Sequence, residues 1–417
     1  MADRPLAGIR VLDMTTALSG PYGTLVLAAL GAEVIKIEAP GGNDLARTNP
    51  PFATADGELG LINTGDDESL SFLARNRGKR SIELDLKHEA GREVFFGLAR
   101  ASDVVFENLS DGAADRLGLG YEAVRAVNPA IVYCSLSGLG RPEGSAADQP
   151  ALRVKAMDII VQALSGAMDT TGEVDGPPLR FGLPVADLMA PLYAVIGIQS
   201  ALIQRARTGE GQRVDVSMLE SLASLLPFEH LDVLQRAGYP PRSGNFHNRL
   251  APFGVYPTVD GHVAIAAASD AWVAALFDAM GRPDLMADPR FAGRGPRAAN
   301  SAALNALIEE WTSGMATDAV VAELGRDRGV PCAQVRSAAE VMADEELTAR
   351  GVIGPLVHPT AGELDAVAGG VPIMLSGAEV SLPAPAPLLG ADTDAVLREL
   401  VGLDDETLAR LRSAGTI

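Results

Sequence analysis

The sequence predicts an α/β fold: a parallel sheet covered by helices, with a second, smaller α+β domain. Three observations carry this. The first 135 residues alternate short β-branched runs with amphipathic stretches, the βαβ pattern. Around 238–248 the composition turns to Pro, Gly, Asn and Arg, which marks a loop, and the texture beyond it is that of a hairpin rather than a crossover. The chain has 417 residues, and at about 100–200 residues per domain that length suits two or three packed units.

In order, Ile9–Asp13 reads as a buried strand, Tyr22–Leu30 as a helix and Glu33–Ile37 as the next strand. Ser81–Asp85 is a strand, Ala90–Arg100 a helix, and Asp103–Phe106 and Ile131–Cys134 are further strands. Ligands of open α/β sheets bind outside the carboxyl ends of the strands, which points to Thr15–Gly20, Asn108–Asp111 and Ser135–Gly140. Helices follow near Met157–Ser165 and from about Pro191 to Arg207, the second stopped at Gly209-Glu210-Gly211. Gln212–Val216 reads as a strand leading into a helix over Leu219–Ala237. Beyond the loop, Gly254–Pro257 and His262–Ala267 flank an Asp260-Gly261 turn as a hairpin, with helices near 270–280, 299–313 and 317–325. Thr393–Ser413 is helical and is expected to return to the first domain. The expected division is a large Rossmann-like domain over 1–207, completed by about 380–417, a linker helix and loop over 208–248, a small α+β domain over 249–335 and a return connection over 336–379.

Composition narrows the function. With 47% hydrophobic and 21% charged residues the chain can build a core, which excludes wholesale disorder. Lys+Arg is 34 against Asp+Glu 54, so the net charge of −20 repels nucleic acid and anionic membrane surfaces. An anionic ligand therefore needs a local basic pocket. Only four cations are lysines: Lys36, Lys79, Lys87 and Lys155. Two cysteines, Cys134 and Cys332, with no CxxC and no His/Cys cluster, argue against a disulfide framework or structural zinc and suit a reducing cytoplasm. No two of the five histidines stand at i, i+4, so no metal site is expected. The start lacks a signal-peptide apolar region. The longest apolar run, Leu188–Ile203, is interrupted by Gln199 and Ser200, is shorter than the roughly 20 residues that span a bilayer, and reads as a buried helix.

Among motifs, Gly118-Leu119-Gly120-Tyr121-Glu122-Ala123 satisfies G-x-G-x-x-A but follows no strand. Gly138-Leu139-Gly140 follows one, yet Pro142 and Glu143 stand where a helix start should approach pyrophosphate. No phosphate-loop or G-x-S-x-G motif is present. Asp187, inside the apolar stretch Leu183–Pro191, has two readings. It is a helix N-cap, or, with Pro191 at the first helical position, it lies a turn ahead of the helix as a desolvated, ionised carboxylate suited to nucleophilic attack. Asn76-Arg77-Gly78-Lys79-Arg80 and Arg153-Val154-Lys155 are basic clusters that read either as solvated faces or as a seat for phosphates. His247 sits in a Gly/Asn/Arg loop that could hold a site residue.

Several blocks in order resemble the class III CoA-transferases: Leu6–Asp13, Leu30–Glu38, Asn76–Ile82, Val105–Asn108, Gln162–Gly166, Arg207–Gln212 and Pro387–Thr393. The resemblance implies transfer of CoA between carboxylic acids, with Asp187 as the nucleophile that forms an acyl anhydride and then an aspartyl-CoA thioester. It implies CoA contacts at Leu18, Ser19, Asn76, Arg77, Gly78, Lys79, Asn108, Leu109, Ser110, Arg116, Lys155, Met157 and Asp158. Acyl-CoA and a carboxylic acid would be substrates, with no tightly bound cofactor and no metal, and the chain would form an interlocked homodimer. Leu18 and Ala39 depart from the Gln and Arg of the member acting on oxalate. That member's glycine-rich lid is also absent; 244–249 takes its place, with His247 and Arg249 expected at the acceptor. Two alternatives stand beside this reading. An α-methylacyl-CoA racemase is one, although Met157 stands where its proton-shuttling His would be; a non-catalytic CoA-binding protein is the other.

Overall fold

The computed structural model describes residues 4–65, 67–140, 154–382 and 384–417; Pro142, Glu143 and Arg153 of the motifs above lie outside them. Six parallel strands form the main sheet: β1 (Arg10–Met14), β2 (Glu33–Glu38), β3 (Lys79–Glu83), β4 (Val104–Glu107), β5 (Val132–Ser137) and β6 (Arg213–Ser217). Their order is β3-β2-β1-β4-β5-β6, with Leu12 in register with Ile35 on one side and Val105 on the other. The chain moves outward from β1 in one direction and then in the other. This leaves a crevice beyond the carboxyl ends of β1 and β4, the place where such sheets bind ligands.

Helices on both faces explain why the strands read as continuous apolar runs. Helix α1 (Ser19–Ala29) is buried at every position but Tyr22. Helix α2 (Leu70–Arg75) precedes β3, α3 (Glu89–Arg100) follows it, and α4 (Asp158–Leu164) and α5 (Val185–Thr208) follow β5. Gly23 lets α1 pack closely: a Cβ there would lie 2.9 Å from the Phe106 ring and 3.1 Å from Pro191 on α5.

Helix α5 begins at Val185 rather than near Pro191, so Asp187 is its third residue and Pro191 lies inside it. Proline in a helix forfeits one N–H bond, here the one that the Asp187 carbonyl would receive. The helix is also half-exposed rather than buried: Ala186, Ala190, Ala194 and Ile198 face inward while Leu192, Tyr193, Ile196 and Ile203 do not. By length and composition alone it could cross a membrane. The helix expected over Leu219–Ala237 is broken into α6 (Met218–Ala223) and two short turns, Leu226–Glu229 and Leu231–Arg236. Pro227, the second residue of the first of these turns, has no N–H with which to continue the helix from α6.

The chain divides into two compact units, Met1–Ser165 with Phe181–Leu225 and Asp344–Ile417, and Gly166–Arg180 with Leu226–Ala343. These boundaries differ from the expected ones. β6 and α6 complete the large unit's sheet layer instead of serving as a linker. In the small unit, β7 (Phe253–Pro257) and β8 (His262–Ala266) form the expected hairpin, extended by β9 (Cys332–Gln334) and covered by α7 (Asp270–Ala279) and α8 (Ser301–Thr312) over Tyr256, Ile265, Phe277 and Ile308. The expected return connection is itself folded. Hairpin β10 (Ile353–His358) and β11 (Gly362–Gly369) shares a core with Phe72 and Leu73 of α2. The terminal helix α9 (Asp405–Ser413) packs Leu408 and Leu411 into the core around Phe95 and Tyr133.

Candidate active site

The loop leaving β1, Thr15–Leu18, is held by a buried ionic network. Lys79 Nζ donates to Asp13 Oδ2 (2.9 Å), Thr24 Oγ1 (2.7 Å), Asn76 Oδ1 (2.8 Å) and the Pro21 carbonyl (3.1 Å). Lys36 Nζ donates to the Thr15 carbonyl (2.8 Å) and pairs with Asp44 (2.9 Å). Asp44 Oδ1 accepts the Ala17 N–H (2.8 Å), Asn108 accepts the Thr16 N–H (2.8 Å) and donates to the Thr16 carbonyl (3.0 Å), and Arg75 Nη1 donates to the Ala17 carbonyl (3.1 Å). So fastened, Ala17 keeps a φ of 66° that alanine rarely adopts. Burial pushes the Asp13 pKa up, but Lys79, Lys36, Thr15 and Thr24 outweigh it and hold it at about 2. Burial, relieved by Asp13 but aggravated by Lys36, brings Lys79 down to about 8.

Several side chains of the basic block point inward. Lys79 and Asn76 were expected to touch CoA, but both side chains are interior and fully engaged. Asn108 spends both arms on Thr16. Arg77 bonds the carbonyls of Ala74 and Gly369, and Gly78 takes a φ of 74° that suits glycine. These contacts brace the loop after β1 and the turn before β3. Other groups stand at the start of α1: Leu18 is its N-cap residue, and the Ser19 hydroxyl beside it is buried with no hydrogen bond among the described residues. Leu109 walls a cleft of about 160 Å³ at the carboxyl ends of β1–β3, together with Ala39, Leu84, Leu86, Lys87 and Leu117. Ser110, Arg116 and Lys155 are exposed, Arg116 donating to the Asp111 carbonyl (2.9 Å).

Asp187 is not a cap. The start of α5 is capped from α4 by Asp158, whose Oδ1 accepts the N–H of Ala186 (2.8 Å) and of Asp187 (3.4 Å). Asp158 Oδ2 accepts from Gln162 Nε2 (2.7 Å), and Gln162 in turn accepts the Phe181 N–H (2.8 Å). The Asp187 carboxylate is half-buried and, among the described residues, has neither hydrogen bond nor ion pair. Burial first and the charge of Asp158 second raise its pKa to about 6, against the pull of Arg75. Met157, the N-cap residue of α4, is exposed.

His247 and Arg249 belong to the small unit, where they line a cavity of about 790 Å³ with Glu229, Phe246, Ile265 and Cys332. Arg249 is already paired with Glu229 (2.6 Å), and His247 Nδ1 accepts the Arg249 N–H (3.0 Å). Burial and Arg249 lower the His247 pKa, against the pull of Glu229. The sequence reading passed over Arg75, Asp44 and Lys87. Lys87 could have been found, as one of four lysines and just past a strand. Arg75 and Asp44 carry no local signal.

Residues 6–393 match the profile of CoA-transferase family III. A succinyl-CoA:mesaconate CoA-transferase of Haloarcula marismortui is 39% identical, covering 96% of this chain and 98% of its own. A formyl-CoA:oxalate CoA-transferase of Streptomyces coelicolor is 37% identical over the whole of both. A crystal structure of a CAIB/BAIF family protein from Brucella suis superimposes with a TM-score of 0.78 at 37% identity, covering 95% of this chain and 99% of that one.

Two outcomes follow from the electrostatics. Lys79→Met leaves Asp13 buried without its main partner and is expected to cost about 3–5 kcal/mol in urea unfolding. Asp187 has a folded pKa of about 6, above its ordinary 3.8, so its ionisation opposes folding as pH rises through 6. Asp187→Asn should therefore stabilise the protein by about 1–2 kcal/mol near neutral pH, with the advantage vanishing below about pH 4.

Proposed function

The chain belongs to CoA-transferase family III, and from that premise we propose that it moves CoA from an acyl-CoA donor to a carboxylic acid through covalent intermediates on Asp187. The Asp187 carboxylate carries this reading: half-buried, unpartnered, and in the first turn of a long helix. A nucleophile needs lone pairs that nothing else holds, and burial without a partner leaves them free. The helix dipole and Arg75 favour the ionised form, which prevails above about pH 6.

A carboxylate oxygen attacks the donor thioester, the C–S bond breaks, and an acyl anhydride and CoA thiolate result. The thiolate attacks Cγ of Asp187, expelling the donor acid and leaving an aspartyl-CoA thioester. The acceptor carboxylate attacks the same carbon and frees the thiolate again. Attack of that thiolate on the acceptor's carbonyl releases the new acyl-CoA and restores Asp187. No proton is gained or lost, so the cycle needs no general acid, and exposed Met157 has none to offer.

For CoA itself, the cleft of Leu84, Leu86, Leu109 and Leu117 suits a flat nucleobase, and Lys87, Arg116 and Lys155 are cations available to its phosphates. The start of α1, with the unpartnered Ser19 hydroxyl, suits the diphosphate. Short dicarboxylic acids are the proposed acyl class, in keeping with the succinyl, mesaconate and oxalate in the names of the relatives. The loop at His247 and Arg249 is proposed to approach the acceptor.

We further propose a homodimer working in a reducing cytoplasm, as the two free cysteines suit. Anhydride and thioester both hydrolyse if water reaches them, and α4 and α5 leave Ile159, Ile160, Leu164, Leu192, Tyr193 and Ile196 exposed. A second copy is a fitting cover for that apolar face; an anionic lipid surface would be repelled by the net charge of −20.

After mixing with succinyl-CoA, peptide mass spectrometry should find acyl or CoA mass on the Asp187 peptide, and Asp187→Ala should lose both adduct and transfer while staying folded. Light scattering should give twice the chain mass of 43.3 kDa; a monomer at micromolar concentration would count against the dimer.

A further inference from the structure

The positive groups near the site are mostly spoken for. Lys36 and Lys79 are consumed inside the ionic network, and Arg77 holds two carbonyls. Arg75 is different. It closes α2 with its guanidinium half-buried, donates a single hydrogen bond, to the Ala17 carbonyl, and forms no ion pair among the described residues. It is close enough to Asp187 to interact with its charge, yet the two do not touch.

We infer that Arg75 is a specificity-determining residue, the seat of the far carboxylate of a short dicarboxylic acid whose near carboxyl reacts at Asp187. The inference rests on the Asp187 chemistry proposed above and names what selects its substrate. A reacting carboxylate clamped by a guanidinium would have its lone pairs engaged and attack poorly, so the far one is the better occupant. The planar fork of arginine matches a carboxylate with two donors. Its aim is set in advance, because Ala17, whose carbonyl it holds, is itself fixed through its amide N–H by Asp44.

Timing follows from the same placement. While Asp187 is a free carboxylate it offsets the charge of Arg75. Once Asp187 is the CoA thioester that negative charge is gone, and Arg75 is left with only the more weakly felt charge of Asp44, itself paired with Lys36, in the one intermediate that has to recruit an acceptor. A monocarboxylic acid would leave the half-buried guanidinium unpaired, and sites built for a polar group reject analogues that lack it.

The test compares succinate with butyrate, equal in carbon number, as acceptors from acetyl-CoA. Wild type should favour succinate in kcat/KM by at least about tenfold. Arg75→Leu should collapse that ratio, chiefly through the KM for succinate, and Arg75→Lys should restore part of it. Arg75→Gln, closer in shape, serves if the leucine variant does not fold. A ratio unchanged in variants whose Asp187 adduct still forms overturns the role of Arg75 alone. Transfer that survives Asp187→Ala overturns the reading on which it rests.

Discussion

The site depends on a set of charges taken almost wholly out of water. Asp13, Lys79, Lys36 and Asp44 are all buried, and each is matched within the set. Such networks seldom add net stability, because desolvation costs about what the attraction returns. What this one provides is shape. The loop after β1 has no ladder to hold it, and Ala17 adopts a backbone conformation that costs about 1–2 kcal/mol for a residue with a side chain. It persists because its amide is held by Asp44 beyond β2, its carbonyl by Arg75 at the end of α2, and the groups before it by Asn108 just past β4 and Lys36 of β2. The strand ends and the start of α1 are thereby fixed before any ligand arrives.

The two readings of Asp187 exclude each other, and the geometry shows why. A capping carboxylate spends its lone pairs on backbone N–H groups, whereas a nucleophile must keep them. Asp158 takes the capping duty from a neighbouring helix, so α5 can start two residues ahead of Asp187 with its orphan donors satisfied. Burial does most to raise the pKa of Asp187, and the same carboxylate adds to it by repulsion. One residue thus frees the side chain and limits how strongly it is ionised, and the balance near pH 6 leaves it mostly charged at neutral pH without surrounding it with donors that would blunt it.

The sheet was legible because parallel strands buried on both faces are short apolar runs at regular spacing, and strand ends point to the site whatever the ligand. Thr15–Leu18 and Asn108 were placed by that rule alone. Roles were less legible. A lysine in a basic block reads the same whether it faces solvent or lies under a helix, and only the crossing of β1, β2 and β3 decides that Lys79 points inward. The start of α5 is hard to read because proline favours the first helical position, which points to a start near 191, while the group that caps the true start is 28 positions away in sequence. Arg75 had no local signal: its meaning comes from Ala17 and Asp187, neither of them near it in the chain.

There is a wider tension in a chain of charge −20 that takes up polyanionic CoA and, on the reading above, a dicarboxylate. Long-range attraction cannot be the answer, since the mean field has the wrong sign and fades over about 8–10 Å at ordinary salt. Recognition has to be short-range. Half of the lysines are locked away as framework, so recognition in the large unit falls to single groups such as the exposed Lys87 and Arg116 and the half-buried Arg75. A site of this kind admits anions by matching charge to position rather than by concentrating them. That suits an enzyme that must hold two carboxylates and a thiolate in turn without keeping any of them.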